Sequence, residues 1–315
     1  VSPSSASGGT GGSSLPDGAV DSAGSAGSGG TMGSGDGSTI GDRYAALGTA
    51  IQRRMVQNSV TGSAVAVVEN NHLAWASGFG TESSKSEQVQ PTTLFPAGML
   101  SITLTELGAL QLVDRGKLAL DDPVLNYIPE LGVSLKPEWL ALLTSRHLFD
   151  LRSGMPFHKP VPVAWLGHDD DLLMDWVTNG FEQSIPLLFP PGQIAMWSTL
   201  DPILLGALIE RQSAKTYATY MKESVFTPLG MTRTVFGSQA VLADGDYARS
   251  TTPLQDFDDA AWRPELAFSN VLDLAKLLEF FLNGNDAVLS AANRDAMMSP
   301  QSPSSHYLDK VHEAF

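Results

Sequence analysis

The stretch that decides the fold is Leu94–Glu130, LFPAGMLSITLTELGALQLVDRGKLALDDPVLNYIPE. Leu100, Thr103, Leu104, Leu107, Leu110 and Gln111 recur at three- and four-residue spacing, the period of one helical face. Ala109, Leu112 and Val113 widen the apolar surface, so this helix is expected to be enclosed rather than laid on a surface. Gly116 ends it, because glycine enters the left-handed conformation of a helix C-cap without a steric penalty. Arg115 and Lys117 stand where the helix dipole favours cations. Asp122-Pro123 then turns the chain toward Leu125–Pro129.

Further motifs lie on either side. Upstream, Tyr44, Leu47, Ile51 and Met55 mark an amphipathic helix. Ala64–Val68 and Leu73–Ala76 read as two strands joined at Asn70-Asn71, with Gly78-Phe79-Gly80 closing the hairpin. Downstream come Ser153-Gly154 and Pro190-Pro191-Gly192, then a helix through Leu204-Leu205-Gly206 to Glu210. Pro228-Leu229-Gly230-Met231 is a turn, and Phe268-Ser269-Asn270 leads into a helix ending at Asn283-Gly284.

As a set, these motifs resemble the serine β-lactamase and penicillin-binding-protein superfamily, in the branch that holds class C β-lactamases, D-alanyl-D-alanine peptidases and esterases. The resemblance runs over roughly residues 42 to 300. It implies an α/β (α+β) fold: an antiparallel sheet with flanking helices plus a mostly helical region built on the Leu94–Glu130 stretch. It also implies a serine nucleophile in a Ser-x-x-Lys motif at the head of the central helix and a Tyr-x-Asn motif after the Pro-Pro-Gly. Counting back from Gly116, the serine position holds Met99 and the lysine position Ile102. Counting forward from Gly192, Trp197 and Thr199 hold the tyrosine and asparagine positions, with Ser198 between them. The family's third motif, Lys-Thr-Gly or His-x-Gly on a later strand, has no match, and neither do the strands beyond it. An incomplete sheet of this kind is expected to present an unpaired edge and to self-associate through it.

These substitutions bear directly on the chemistry. A serine hydroxyl needs an adjacent base to act as a nucleophile. Met99 has no such oxygen, Ile102 has no titratable group, and the Trp197 indole can donate a hydrogen bond but cannot accept a proton. Ser101 is the fallback nucleophile. It lies about 200° around the helix from Met99, and Leu104 and Thr105, at three and four residues on, are not bases. No catalytic residue is therefore expected. The leading functional expectation is a degenerate family member that acts by binding. The alternatives are an active esterase, β-lactamase or D-amino-acid peptidase with an unrecognised nucleophile, and an interaction module with no ligand in its cleft. The former cleft is expected either to be filled by Met99 and Trp197 or to take a small-molecule or peptidoglycan-like ligand.

Composition narrows the classes. Of 315 residues, 34 are acidic and 19 basic, giving a net charge of −15, which argues against a nucleic-acid partner. The chain has no cysteine, which removes thiolate nucleophiles, disulfides and thiolate metal sites. No metal or other cofactor is expected, because His168 with Asp169–Asp171 reads as an acidic first helical turn rather than a cage. No apolar run is long enough for a transmembrane segment. Residues 1–40 contain 12 Gly and 11 Ser and no Lys or Arg, the composition of a disordered linker, with residues 41–315 forming the β-lactamase-like domain. Such a spacer leads to the expectation of a periplasmic or secreted protein, with any anchor upstream of residue 1.

Overall fold

The computed structural model describes residues 43–82, 87–131, 136–156, 173–175, 177–178, 187–249, 264 and 266–299. The linker at 1–40 and the acidic run at 168–171 lie outside them. A single helical turn, Leu173–Asp175, is described beyond that run.

Helix α1, Ala45–Gln57, precedes a hairpin of β1, Gly62–Glu69, and β2, His72–Gly80. Asn70 and Asn71 both take positive φ, 52° and 67°, as a two-residue hairpin turn of matching twist requires. The strands pair antiparallel from Glu69↔His72 to Gly62↔Gly80, with a bulge at Val67/Val68. Of the expected α1 face Tyr44 and Met55 are buried, Ile51 is half-buried and Leu47 is exposed. The helix is seated by an aromatic column whose other members lie on β2. Tyr44 at the N-cap stacks on Trp75 at 5.3 Å, and Trp75 meets Phe79 at 6.1 Å.

Strand β3, Phe95–Pro96, leads into the central helix α2, Leu100–Asp114. Leu104, Leu107, Ala109, Leu110 and Leu112 are all buried, so the helix is enclosed as its composition predicts. Gly116 closes it at φ 64°, and the Lys117 amide returns to the Leu112 carbonyl at 2.9 Å. Short helices α3, Pro137–Leu140, and α4, Ser145–Phe149, follow. Then come α5, Leu200–Ser213, and α6, Tyr217–Tyr220, which runs on into a π-turn, Met221–Phe226. Helix α5 packs along α2. Gly108 admits that approach: a Cβ there would lie 2.7 Å from Met221 Sδ and 3.4 Å from Ile209 Cδ1.

The last described elements are β4 (Val235–Phe236), α7 (Ser238–Asp244), β5 (Ala267–Ser269), α8 (Val271–Asn283) and α9 (Ala291–Met298). Strands β3, β5 and β4 form a small antiparallel sheet in that spatial order. Asn270 caps α8 through its Oδ1, which accepts from the Leu272 and Asp273 amides at 3.0 Å each. Asp273 Oδ2 in turn accepts from the Arg233 and Thr234 amides and from the Thr234 hydroxyl, tying α8 to the small sheet. Helix α8 covers the β1–β2 ribbon. Among the described residues no third strand joins that ribbon, and all eight β1 residues are half-buried. No described helix is long and apolar enough to cross a membrane.

Candidate functional site

The head of α2 is held by the small sheet. The Ala97 amide donates to the Ala267 carbonyl at 2.7 Å, Gly98 turns the chain at φ 55°, and Met99 follows as the N-cap. Met99 is 67% exposed. Ile102, three residues on, is 7% exposed and so lies beneath the surface that Met99 occupies. Ser101 points elsewhere. It is fully buried, and its Oγ accepts the Ala267 amide at 2.8 Å. The fallback nucleophile is thus a bracket between α2 and β5.

The second group of positions stands at the head of α5. Segment 187–196 is bonded to 151–154: the Leu188 amide donates to the Gly154 carbonyl at 2.8 Å, Gly192 to Arg152 at 2.7 Å, and Met196 to Leu151 at 2.8 Å. Gly192 has φ 87° and sits against His147, where a Cβ would come within 2.9 Å of Nε2. Leu151 takes the left-handed conformation at φ 55°, a strained state for a branched side chain. Trp197 is half-buried. Ser198 is buried, donating to the Pro156 carbonyl at 2.8 Å and accepting the Leu200 amide at 3.2 Å. Thr199 is the N-cap of α5, but its side chain makes no capping bond.

Met99 and Ile102 on one side, and Trp197 and Thr199 on the other, therefore stand at the N-terminal heads of two helices that pack together, Trp197 just ahead of the α5 N-cap. No hydrogen bond or ion pair among the described residues links these four side chains. His147 plays a local part. Its Nδ1 accepts the Thr144 amide at 3.2 Å, and the Thr144 hydroxyl accepts the His147 amide, closing a capping box at α4. Burial pushes its pKa below the ordinary value, which suits a neutral ring with Nδ1 as acceptor. Among the described residues no group of three or more His, Asp or Glu is placed to hold a metal ion.

Glu106 belongs to this face and was missed by the motif count. It is seven residues beyond Met99, two turns along the same side of α2 and roughly 10 Å down the axis. Burial, and then the neighbouring Asp150, push its carboxyl up to about 7. The available signal was compositional: apart from Asp114 at the C-terminal end, it is the single charged residue of α2. On this face the titratable group is a carboxyl, while the nucleophile and lysine positions carry a thioether and a hydrocarbon.

With the geometry established, likeness to known proteins can be weighed. A family model described as Beta-lactamase matches residues 47–314. Beta-lactamase-like protein 2 of Dictyostelium discoideum is 26% identical over 279 residues, covering 83% of this chain and 50% of that protein. Penicillin-binding protein 4* of Bacillus subtilis (strain 168) is 28% identical over 172 residues, covering 54% of this chain and 37% of that protein. The chain thus spans half or less of the length of these two curated relatives. Among solved structures, the octameric penicillin-binding protein homologue from Pyrococcus abyssi superposes with a TM-score of 0.65 at 24% identity, over 81% of this chain and 59% of that one. SurE with D-Leu gives a TM-score of 0.65 at 21% identity, over 84% and 59%. At these identities the structures speak to the fold, which they share with the mixed helical and antiparallel-sheet architecture described above. The match to the family model, over more than half of the chain, shows that this protein belongs to the β-lactamase family.

Proposed function

We propose that this chain is a member of the β-lactamase family that acts by non-covalent binding at the heads of α2 and α5 and does not transfer acyl groups. The observation that carries the reading is the pair Met99 and Ile102. The nucleophile position presents an exposed thioether, and the position of its base is a buried hydrocarbon. Neither can form or activate an acyl-enzyme. Ser101 does not replace them, since its oxygen is buried and engaged with Ala267. The exposed Met99 and half-buried Trp197 favour an apolar or aromatic portion in the ligand. The penicillin-binding relatives favour a peptidoglycan-like or β-lactam framework for the remainder.

The test is incubation of the full chain with a fluorescent penicillin, a chromogenic cephalosporin and a p-nitrophenyl ester. Intact mass is read for adducts, and fluorescence anisotropy for reversible binding. Saturable binding without an adduct or turnover is the expected result. A penicilloyl adduct, or turnover above that of heat-inactivated protein, would overturn the reading. Turnover that survives Ser101→Ala and disappears in Glu106→Gln would point instead to a hydrolase whose base is Glu106.

A further inference from the structure

Away from that face, a second carboxyl group is buried with no ion-pair partner among the described residues. Just beyond strand β2, Thr81 bridges to Gln88 and the Glu82 amide donates to the Glu87 carbonyl at 2.9 Å. Glu82 is 3% exposed. Its Oε1 accepts the Thr93 hydroxyl at 3.4 Å, and its buried Oε2 has no hydrogen-bond donor among the described residues. Asp246 is the neighbouring carboxyl, and its Oδ2 accepts the Thr92 hydroxyl at 3.1 Å and Arg233 Nη1 at 2.9 Å. Arg233 donates further to the Thr92 carbonyl at 2.7 Å and pairs with Asp244. The backbone closes the same joint. The Leu94 amide donates to the Asp246 carbonyl at 3.0 Å, and the Ala248 amide donates to the Leu94 carbonyl at 2.8 Å.

The guanidinium thus serves Asp244 and Asp246, and Glu82 is left opposite an occupied carboxylate. As a carboxylate, its Oε2 would be a buried charge with no donor, beside Asp246 and Glu87, which is costly. As a carboxylic acid, the same atom becomes a donor. We propose that Glu82 is held protonated, that its proton bridges to the Asp246 carboxylate, and that this proton pins a clasp over the Gln90–Leu94 segment that feeds β3 and α2.

The charges around the pair support this division. Burial raises the Glu82 carboxyl above its usual range, and Asp246 and Glu87 add to the rise, with the Thr93 hydroxyl opposing it. Burial also raises Asp246, but the Thr93 hydroxyl, shared between the two carboxyls, and hydrogen bonds from Arg233, Glu82 and Thr92 outweigh it and hold that carboxyl below its usual range. The negative charge rests on Asp246 and the proton on Glu82. Raising the pH removes that proton to water and leaves two carboxylates facing each other, so the clasp is closed in acid and loosens in base. This inference does not depend on how the α2–α5 site is read.

The experiment is hydrogen exchange on the full chain from about pH 5 to 9, corrected for intrinsic rates, followed at the Leu94 and Ala248 amides. The infrared carbonyl band of a protonated carboxylic acid is recorded in parallel. Wild type should lose protection at these amides as pH rises, by up to about tenfold for each unit by which folding raises the Glu82 pKa. The acid band should fade over the same pH range. Glu82→Gln, whose amide can still donate to Asp246, should keep acid-like protection throughout and lack the band. Equal pH profiles in wild type and Glu82→Gln would overturn the proposal. Should the variant fail to fold, wild type alone decides: no buried acid band titrating in step with Leu94 protection also overturns it.

Discussion

Replacing Ser101 with Ala separates two roles for this residue. The structure gives Ser101 one partner across the fold, the Ala267 amide at 2.8 Å, in a place with no access to water. Alanine would leave that N–H buried and unsatisfied, which costs about 1–3 kcal/mol. The exchange also gains helix propensity, worth roughly 0.5 kcal/mol. The net loss is therefore about 0.5–2.5 kcal/mol, or a drop of roughly 2–8 °C in melting temperature for a domain of this size. Strand β5 should loosen locally as well, because Ala267 also accepts from Ala97 and pairs with Phe236. The assay is a thermal melt by calorimetry alongside the ester and cephalosporin assays, with exposed Met99→Ala as the control, expected within about 0.5 kcal/mol of wild type. An unchanged melting temperature in Ser101→Ala would refute the bracket role. An ester activity that Ser101→Ala removes without a change in stability would refute it more strongly.

Restoring Met99→Ser together with Ile102→Lys should lower the melting temperature and yield no acyl-enzyme by mass spectrometry, because the lysine enters a buried apolar position while Trp197 and Thr199 are unchanged. Glu106 has a folded pKa raised from 4.5 to about 7, so it binds its proton more tightly folded than unfolded. Its contribution is complete below about 4.5 and is lost as pH rises toward about 7, so chemical denaturation should show stability falling over that window in wild type and a flatter profile in Glu106→Gln. Thr105→Val should cost about 1–3 kcal/mol in the same measurement, since the fully buried Tyr217 hydroxyl loses the partner it meets at 2.6 Å.

The elements that were legible in the sequence are those set by neighbouring residues. The Asn70-Asn71 turn and the Gly116 stop each follow from local backbone preference, and each stands where the pattern put it. The enclosed character of α2 was legible because its residues are apolar on every side. What escaped depends on partners remote in the chain. Tyr44 finds Trp75, Ser101 finds Ala267, and Glu82 finds Asp246, across separations at which periodicity carries no information. Positions 99, 102, 197 and 199 were located by motif register, but whether each is exposed or buried waited on the packing of α2 with α5. The pKa of Glu106 was out of reach for the same reason, since desolvation is a property of the assembled fold.

The contrast between an exposed Met99 and a buried Ile102 has a consequence for the routes open to descendants of this sequence. Folding exerts little selection on the side chain at 99, so serine and methionine can interchange there at almost no cost in stability. Position 102 behaves as a ratchet. A hydrocarbon is favoured there by burial, and any change to lysine must cross a less stable intermediate that offers no base to a nucleophile unless a serine also stands at 99. The order of change is thereby biased: the outer residue drifts freely, while the inner one, once apolar, resists exchange for a charged side chain.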